Sequence, residues 1–77
     1  MENICLYNKI FTDVFAIDSD SIVEIKKKSS ENWDSLNKMA LIAAIEEYLI
    51  FNFTIDEMLK FNSYEDGISI LKNHNIL

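Results

Sequence analysis

Seventy-seven residues can close only one hydrophobic core, so a single domain spanning 1–77 is expected and a deep enzyme active site is not. Thirteen acidic residues against seven lysines, with no arginine, give a formal charge of −6, which repels phosphate backbones and anionic lipid head groups and argues against nucleic acid and membrane surfaces as partners. The absence of proline and the single glycine, Gly67, exclude a tight-turn β architecture and leave an all-α fold.

Ile4, Leu6, Tyr7, Ile10, Phe11, Val14 and Phe15 recur at spacings of three and four, the stripe of an amphipathic helix from about Glu2 to Val14. Cys5 lies inside that stripe and reads as a small core residue; a lone cysteine forms no internal disulfide. No basic and apolar leader opens the chain, so a cytoplasmic location is expected. Residues Ala16 to Asp34 carry Ser, Asp and Asn and the run Lys26 to Lys28 between scattered apolar anchors, and read as a long loop with at most one short turn.

From Asp34 to Leu49 nearly every residue is a good or neutral helix former behind a capping Asp or Ser, which predicts the second and longest helix. On a helical wheel Leu41, Ile42, Ile45, Tyr48 and Leu49 share the bulkier arc and should face the core, whereas Leu36, Met39, Ala40, Ala43 and Glu47 share the opposite arc. The longest apolar run, Met39 to Ile45, is far shorter than the roughly 20 residues that cross a bilayer. Thr54 and Glu57 have capping-box spacing, as do Ser63 and Asp66 if Asp replaces the usual Glu or Gln. They predict a short helix interrupted at Asn62 and Ser63, then a last helix from Tyr64 to about Asn73 with Ile68 and Leu71 inward. The expected architecture is a small bundle of three main helices plus one short helix, with a long loop between the first and second.

The inventory for catalysis is thin. Cys5 and His74 lie near opposite ends of the chain and neither has an evident partner, there is no glycine-rich phosphate loop, and Glu46 and Glu47 project in different directions with no His or Cys beside them to complete a metal site. No enzymatic activity and no metal are expected. What remains is Ser35. It opens a long helix directly after Asp34, where unpaired backbone N–H groups and the positive end of the helix dipole face outward, a good place for an anion. On the dipeptide alone, a simple helix cap is the better account of the pair, because Asp and Ser are common caps.

The wider pattern is more specific. Trp33, Asp34, Ser35 and Leu36, followed by Met39, Leu41, Ile42, Ile45, Glu46, Glu47, Tyr48 and Leu49, resemble the second helix of the acyl carrier protein family, in which an Asp-Ser-Leu motif marks the serine that bears the prosthetic arm. Val14 to Asp18 and Ile22 are similar to the end of the family's first helix and the start of its long loop. Phe53 to Glu57 and Phe61 to Tyr64 are similar to its short third and fourth helices, so the resemblance covers nearly the whole chain.

It implies that Ser35 carries 4'-phosphopantetheine, donated from coenzyme A by a phosphopantetheinyl transferase, and that Asp34 helps position the serine for that enzyme and its divalent metal. It further implies acyl cargo held as a thioester, and as partners an activating ligase and acyltransferase or synthase enzymes. The aminoacyl or peptidyl carriers bear the same arm and stay open as an alternative, as does an unmodified helical interaction module. Asn32 and Trp33 stand where the commonest fatty-acid carriers often have a glycine, and Lys38, Met39, Ala40 and Ala43 occupy a face that those carriers usually stud with acids. These departures suit a stand-alone, monomeric carrier in a specialised lipid or secondary-metabolite pathway. Partner docking is expected on Leu36, Met39, Ala40 and Ala43, with Glu46 and Glu47 steering a basic surface.

Overall fold

In a computed structural model, which describes residues 2–19 and 21–77, five helices follow one another: α1 (Asn3–Phe15), α2 (Ile22–Glu31), α3 (Ser35–Leu49), α4 (Ile55–Lys60) and α5 (Tyr64–Asn73). No strand is present among the described residues. α1 packs against α2 and α3, and α2 also packs against α5.

α1 turns Tyr7, Ile10 and Phe11 into the core, while Ile4, Leu6, Val14 and Phe15 are half-buried at its margins. It ends where Ala16 adopts the left-handed conformation at φ 53° and the Ile17 N–H reaches back to the Thr12 carbonyl at 2.9 Å, closing the last turn and burying Ile17. Cys5 is exposed, which corrects its expected place in the core: two residues before the buried Tyr7, it is about 200° round the helix from it and faces away from the core.

The principal correction concerns the expected long loop. Its middle forms the ten-residue helix α2, so the bundle has four longer helices and one short one; Asp20, part of that expected loop, lies outside the described residues. α2 hides from a periodicity argument because only Ile25 and Ser29, one turn apart, are buried, while Ile22 and Val23 face outward. The Ser29 hydroxyl donates to the Lys26 carbonyl at 3.2 Å, so the residue presents a small, satisfied surface where α2 meets its neighbours.

α3 starts at Ser35 and buries Leu41, Ile42, Ile45 and Leu49. Tyr48, expected on the same arc, is 60% exposed: it falls at the arc's edge, beside the shallow groove formed with Leu6, Lys9, Ile10 and Asp13 of α1. Among the residues that would complete a core with this arc, Phe11 and Phe53 are buried, whereas Phe15 and Ile68, each on an apolar stripe of its own helix, are only half-buried.

The Thr54 and Glu57 capping box forms in full. The Ser63 one forms by half: Ser63 Oγ accepts the Asp66 N–H at 3.1 Å, but the shorter Asp66 side chain accepts the N–H of Asn62 instead of that of Ser63. α4 contributes the half-buried Met58 and is followed by the fully buried Phe61, while Leu59 faces out. Beyond α5 the tail is tied down by the Ile76 N–H to the Leu71 carbonyl and by Asn3 Nδ2 to the Ile76 carbonyl, 2.9 and 2.8 Å respectively.

Candidate functional site

The start of α3 is shaped by Asp34. Its backbone is extended, and its carboxylate accepts the Asn37 N–H at 2.8 Å, so the cap of the helix is Asp34 and not Ser35. Ser35 therefore occupies the first helical position with its side chain exposed. The N–H groups of Ser35 and Leu36, in the first turn, have no acceptor within the helix. The Asn37 amide, in turn, donates to the Asn32 carbonyl at 3.0 Å, and the Asn32 amide donates to the Lys28 carbonyl at 2.8 Å. These side chains lock the three-residue link between α2 and α3, which holds Ser35 on a fixed corner instead of a mobile loop. Lys38 Nζ reaches Asn62 Oδ1 at 3.4 Å, joining the same corner to the turn before α5.

Beneath this corner lies Trp33. Its ring sits 6.3 Å from Phe11, 6.2 Å from Phe15 and 5.2 Å from Phe61, edge-on to the last, and Phe61 stacks on Phe53 at 5.5 Å. The indole Nε1–H is buried without an acceptor among the described residues. Such an orphaned donor is costly, and here it accompanies the packing of a large, half-buried ring against the core. Trp33 served only as a motif residue in the sequence; its signal as a packing residue is its place just before the cap, where an apolar side chain commonly folds back onto its helix or neighbours.

Leu36, Met39, Ala40, Ala43 and Glu47 are all exposed on the outer arc of α3, with Leu36 at 80% and Met39 at 64%. Glu46 departs from its expected role at the edge of that arc. It is half-buried, and its carboxylate accepts the Phe53 N–H at 2.9 Å, so it fastens the α3–α4 link instead of projecting toward a partner.

His74, which shows no evident partner in the sequence, has one in the fold. Its Nε2 lies 2.6 Å from Glu57 Oε2, and its ring packs edge-on against Phe51 with centroids 4.6 Å apart. Glu57 meanwhile accepts the Thr54 N–H through Oε1, and that hydrogen bond, followed by His74, holds its carboxyl below the usual carboxylate range. Neither His74 nor Cys5 is brought to the Ser35 corner. Comparisons of the chain with protein-family models, with curated proteins and with solved structures find no match.

Proposed function

We propose that this chain is an acyl carrier protein that bears its cargo as a thioester on a 4'-phosphopantetheine arm attached to Ser35. The observation that carries the reading is the exposed Ser35 hydroxyl in the first turn of the longest helix, directly behind the capping Asp34 in an Asp-Ser-Leu run. The residues suit the group. A phosphodiester on Ser35 Oγ would meet the first-turn N–H groups of Ser35 and Leu36 and the positive end of the helix dipole, and the locked corner presents the hydroxyl to a modifying enzyme.

When bound, the arm supplies the thiol that forms thioesters. The chain's own residues anchor and present it: Ser35 holds the phosphate, Asp34 fixes the helix start, and Leu36 and Met39 offer apolar surface beside the attachment point. A long flexible tether raises the concentration of cargo at a docked enzyme without requiring a pocket on the carrier. The partners are then a phosphopantetheinyl transferase, a ligase that activates acyl or aminoacyl groups, and an acyltransferase or synthase.

The test is intact mass after incubation with coenzyme A and a broad-specificity transferase. The parent chain should gain one phosphopantetheine, and Ser35→Ala, which removes one exposed oxygen, should fold like the parent and gain none. Modification at another serine, or no modification of the parent by any transferase tried, would refute the assignment. In the latter case the exposed Leu36 and Met39 favour the second reading, an unmodified helical interaction module.

A further inference from the structure

An alkyl chain tethered at Ser35 leaves water only if the protein offers it an apolar interior within reach, and each buried methylene adds to the drive to enter. At this corner that space is occupied. Trp33 turns its indole inward from the residue before the cap and fills the region bounded by Phe11, Phe15 and Phe61. Leu41 and Ile45, the next inward residues along α3, are fully buried. The hydrogen bonds from Lys38 to Asn62 and from Asn62 to Asp66 tie the adjoining seam. Among the described residues, surface clefts lie on other faces: one bounded by Ile4, Ile68 and Leu77, one by Ile22 and Tyr64, and one by Leu6 and Tyr48. None of these clefts is lined by a residue between Asp34 and Glu47.

We infer that Trp33 closes the bundle to cargo, so that the arm on Ser35 holds a small, polar acyl group, aminoacyl groups included, out in solvent and not a long fatty chain folded among the helices. The inference rests on the carrier reading above. An exposed fatty chain would leave a large apolar surface in water and promote self-association, whereas a small polar group carries no such penalty. Trp33 is thus the specificity-determining residue: it excludes long chains by volume, without touching the thioester.

The experiment loads the full chain directly from acyl-coenzyme A donors, acetyl to dodecanoyl, with a broad-specificity transferase. It reads the thermal midpoint of each product and the rate at which hydroxylamine cleaves its thioester. For the parent, both should be independent of chain length. For Trp33→Ala, the vacated volume should admit long chains, so dodecanoyl should raise the midpoint and slow cleavage by about tenfold or more relative to acetyl, since burial of successive methylenes multiplies the protection. Chain-length-dependent protection in the parent overturns the inference, whichever cleft provides it, while leaving the carrier reading intact. A folded Trp33→Ala that shows no length dependence overturns the assignment to Trp33. No mass gain on the parent with any donor overturns the carrier reading and this inference with it. Should Trp33→Ala fail to fold, the parent series alone still decides whether cargo is held in solvent.

Discussion

A methyl group added at Gly67 would sit 2.0 Å from the Tyr7 hydroxyl oxygen and 2.7 Å from the Phe61 ring. The one glycine of the chain is therefore required for close approach. Tyr7 is fully buried, its hydroxyl donates to the Tyr64 carbonyl at 2.7 Å, and burial pushes its phenol well above the ordinary tyrosine range, so the group stays neutral. Gly67→Ala is expected to cost about 3 kcal/mol in urea unfolding, from overpacking and from displacement of that hydrogen bond. Tyr7→Phe removes the oxygen that clashes, so the double variant should be more stable than the sum of the two single costs implies; strict additivity would show that the two residues do not meet as described. None of this was legible in the sequence. A helix-interior glycine carries no sign of what it faces. Tyr48 lies at the edge of its arc, where a modest helix rotation decides burial, whereas Cys5 sits about 200° of helix rotation from the buried Tyr7 and keeps apolar company in sequence only.

At the scale of elements, caps were more legible than periodicity. Asp34, Thr54 and Ser63 each accept an N–H at the start of a helix, because a short polar side chain ahead of a helix satisfies a donor that the helix cannot. α2 was not legible. One buried turn is too little pattern, and its stability comes from packing on α1 and α5, which no local window contains. α4 has only six residues and buries none of them fully, so its capping box and the bond from Glu57 to His74 carry much of its hold on the bundle. The folded-state carboxyl of Glu57 is depressed, chiefly by the Thr54 N–H and then by His74. It therefore contributes stability that is present above the unfolded carboxylate value, about 4.3, and is lost as pH falls through the lower folded value. Urea-unfolding free energies of the parent and Glu57→Gln should differ at pH 7 by less than about 1 kcal/mol, because solvent screens the charge, and should converge as pH falls through the depressed folded-state value, because glutamine keeps an acceptor but never the charge. Protonation of the other acids relieves the net negative charge in both proteins, so the comparison isolates Glu57. A difference that persists unchanged into acid would remove the charge from this account.

Across the whole molecule, the acidic middle is less available than its composition suggests. Seven acids lie between Asp34 and Asp66 against two lysines, a net of −5. Six of the seven are engaged inside the fold: Asp34 caps Asn37, Glu46 binds the Phe53 N–H, Glu57 meets Thr54 and His74, and Asp66 binds the Asn62 N–H, while Asp56 pairs with Lys60 and Glu65 with Lys26. Glu47 stands exposed on the outer arc of α3 beside Ala40 and Ala43, without a partner among the described residues. A surface that reads in sequence as a basic-partner magnet is thus mostly local wiring. The two ion pairs on exposed side chains hold their acids only weakly, so some long-range steering survives, but close contact at α3 must come from apolar side chains. Met39, 64% exposed one turn beyond Ser35, is the test residue. Met39→Glu should change stability by no more than about half a kcal/mol, since it removes an exposed side chain and places one carboxylate in water. In transferase or ligase assays, however, it should slow loading, because it buries a charge in an apolar contact. The effect should remain at high salt, where steering by Glu47 is screened within about 10 Å or less. A parent rate that collapses with salt while Met39→Glu loads as fast as the parent would reverse the order of importance and put partner choice in charge, not in the apolar arc.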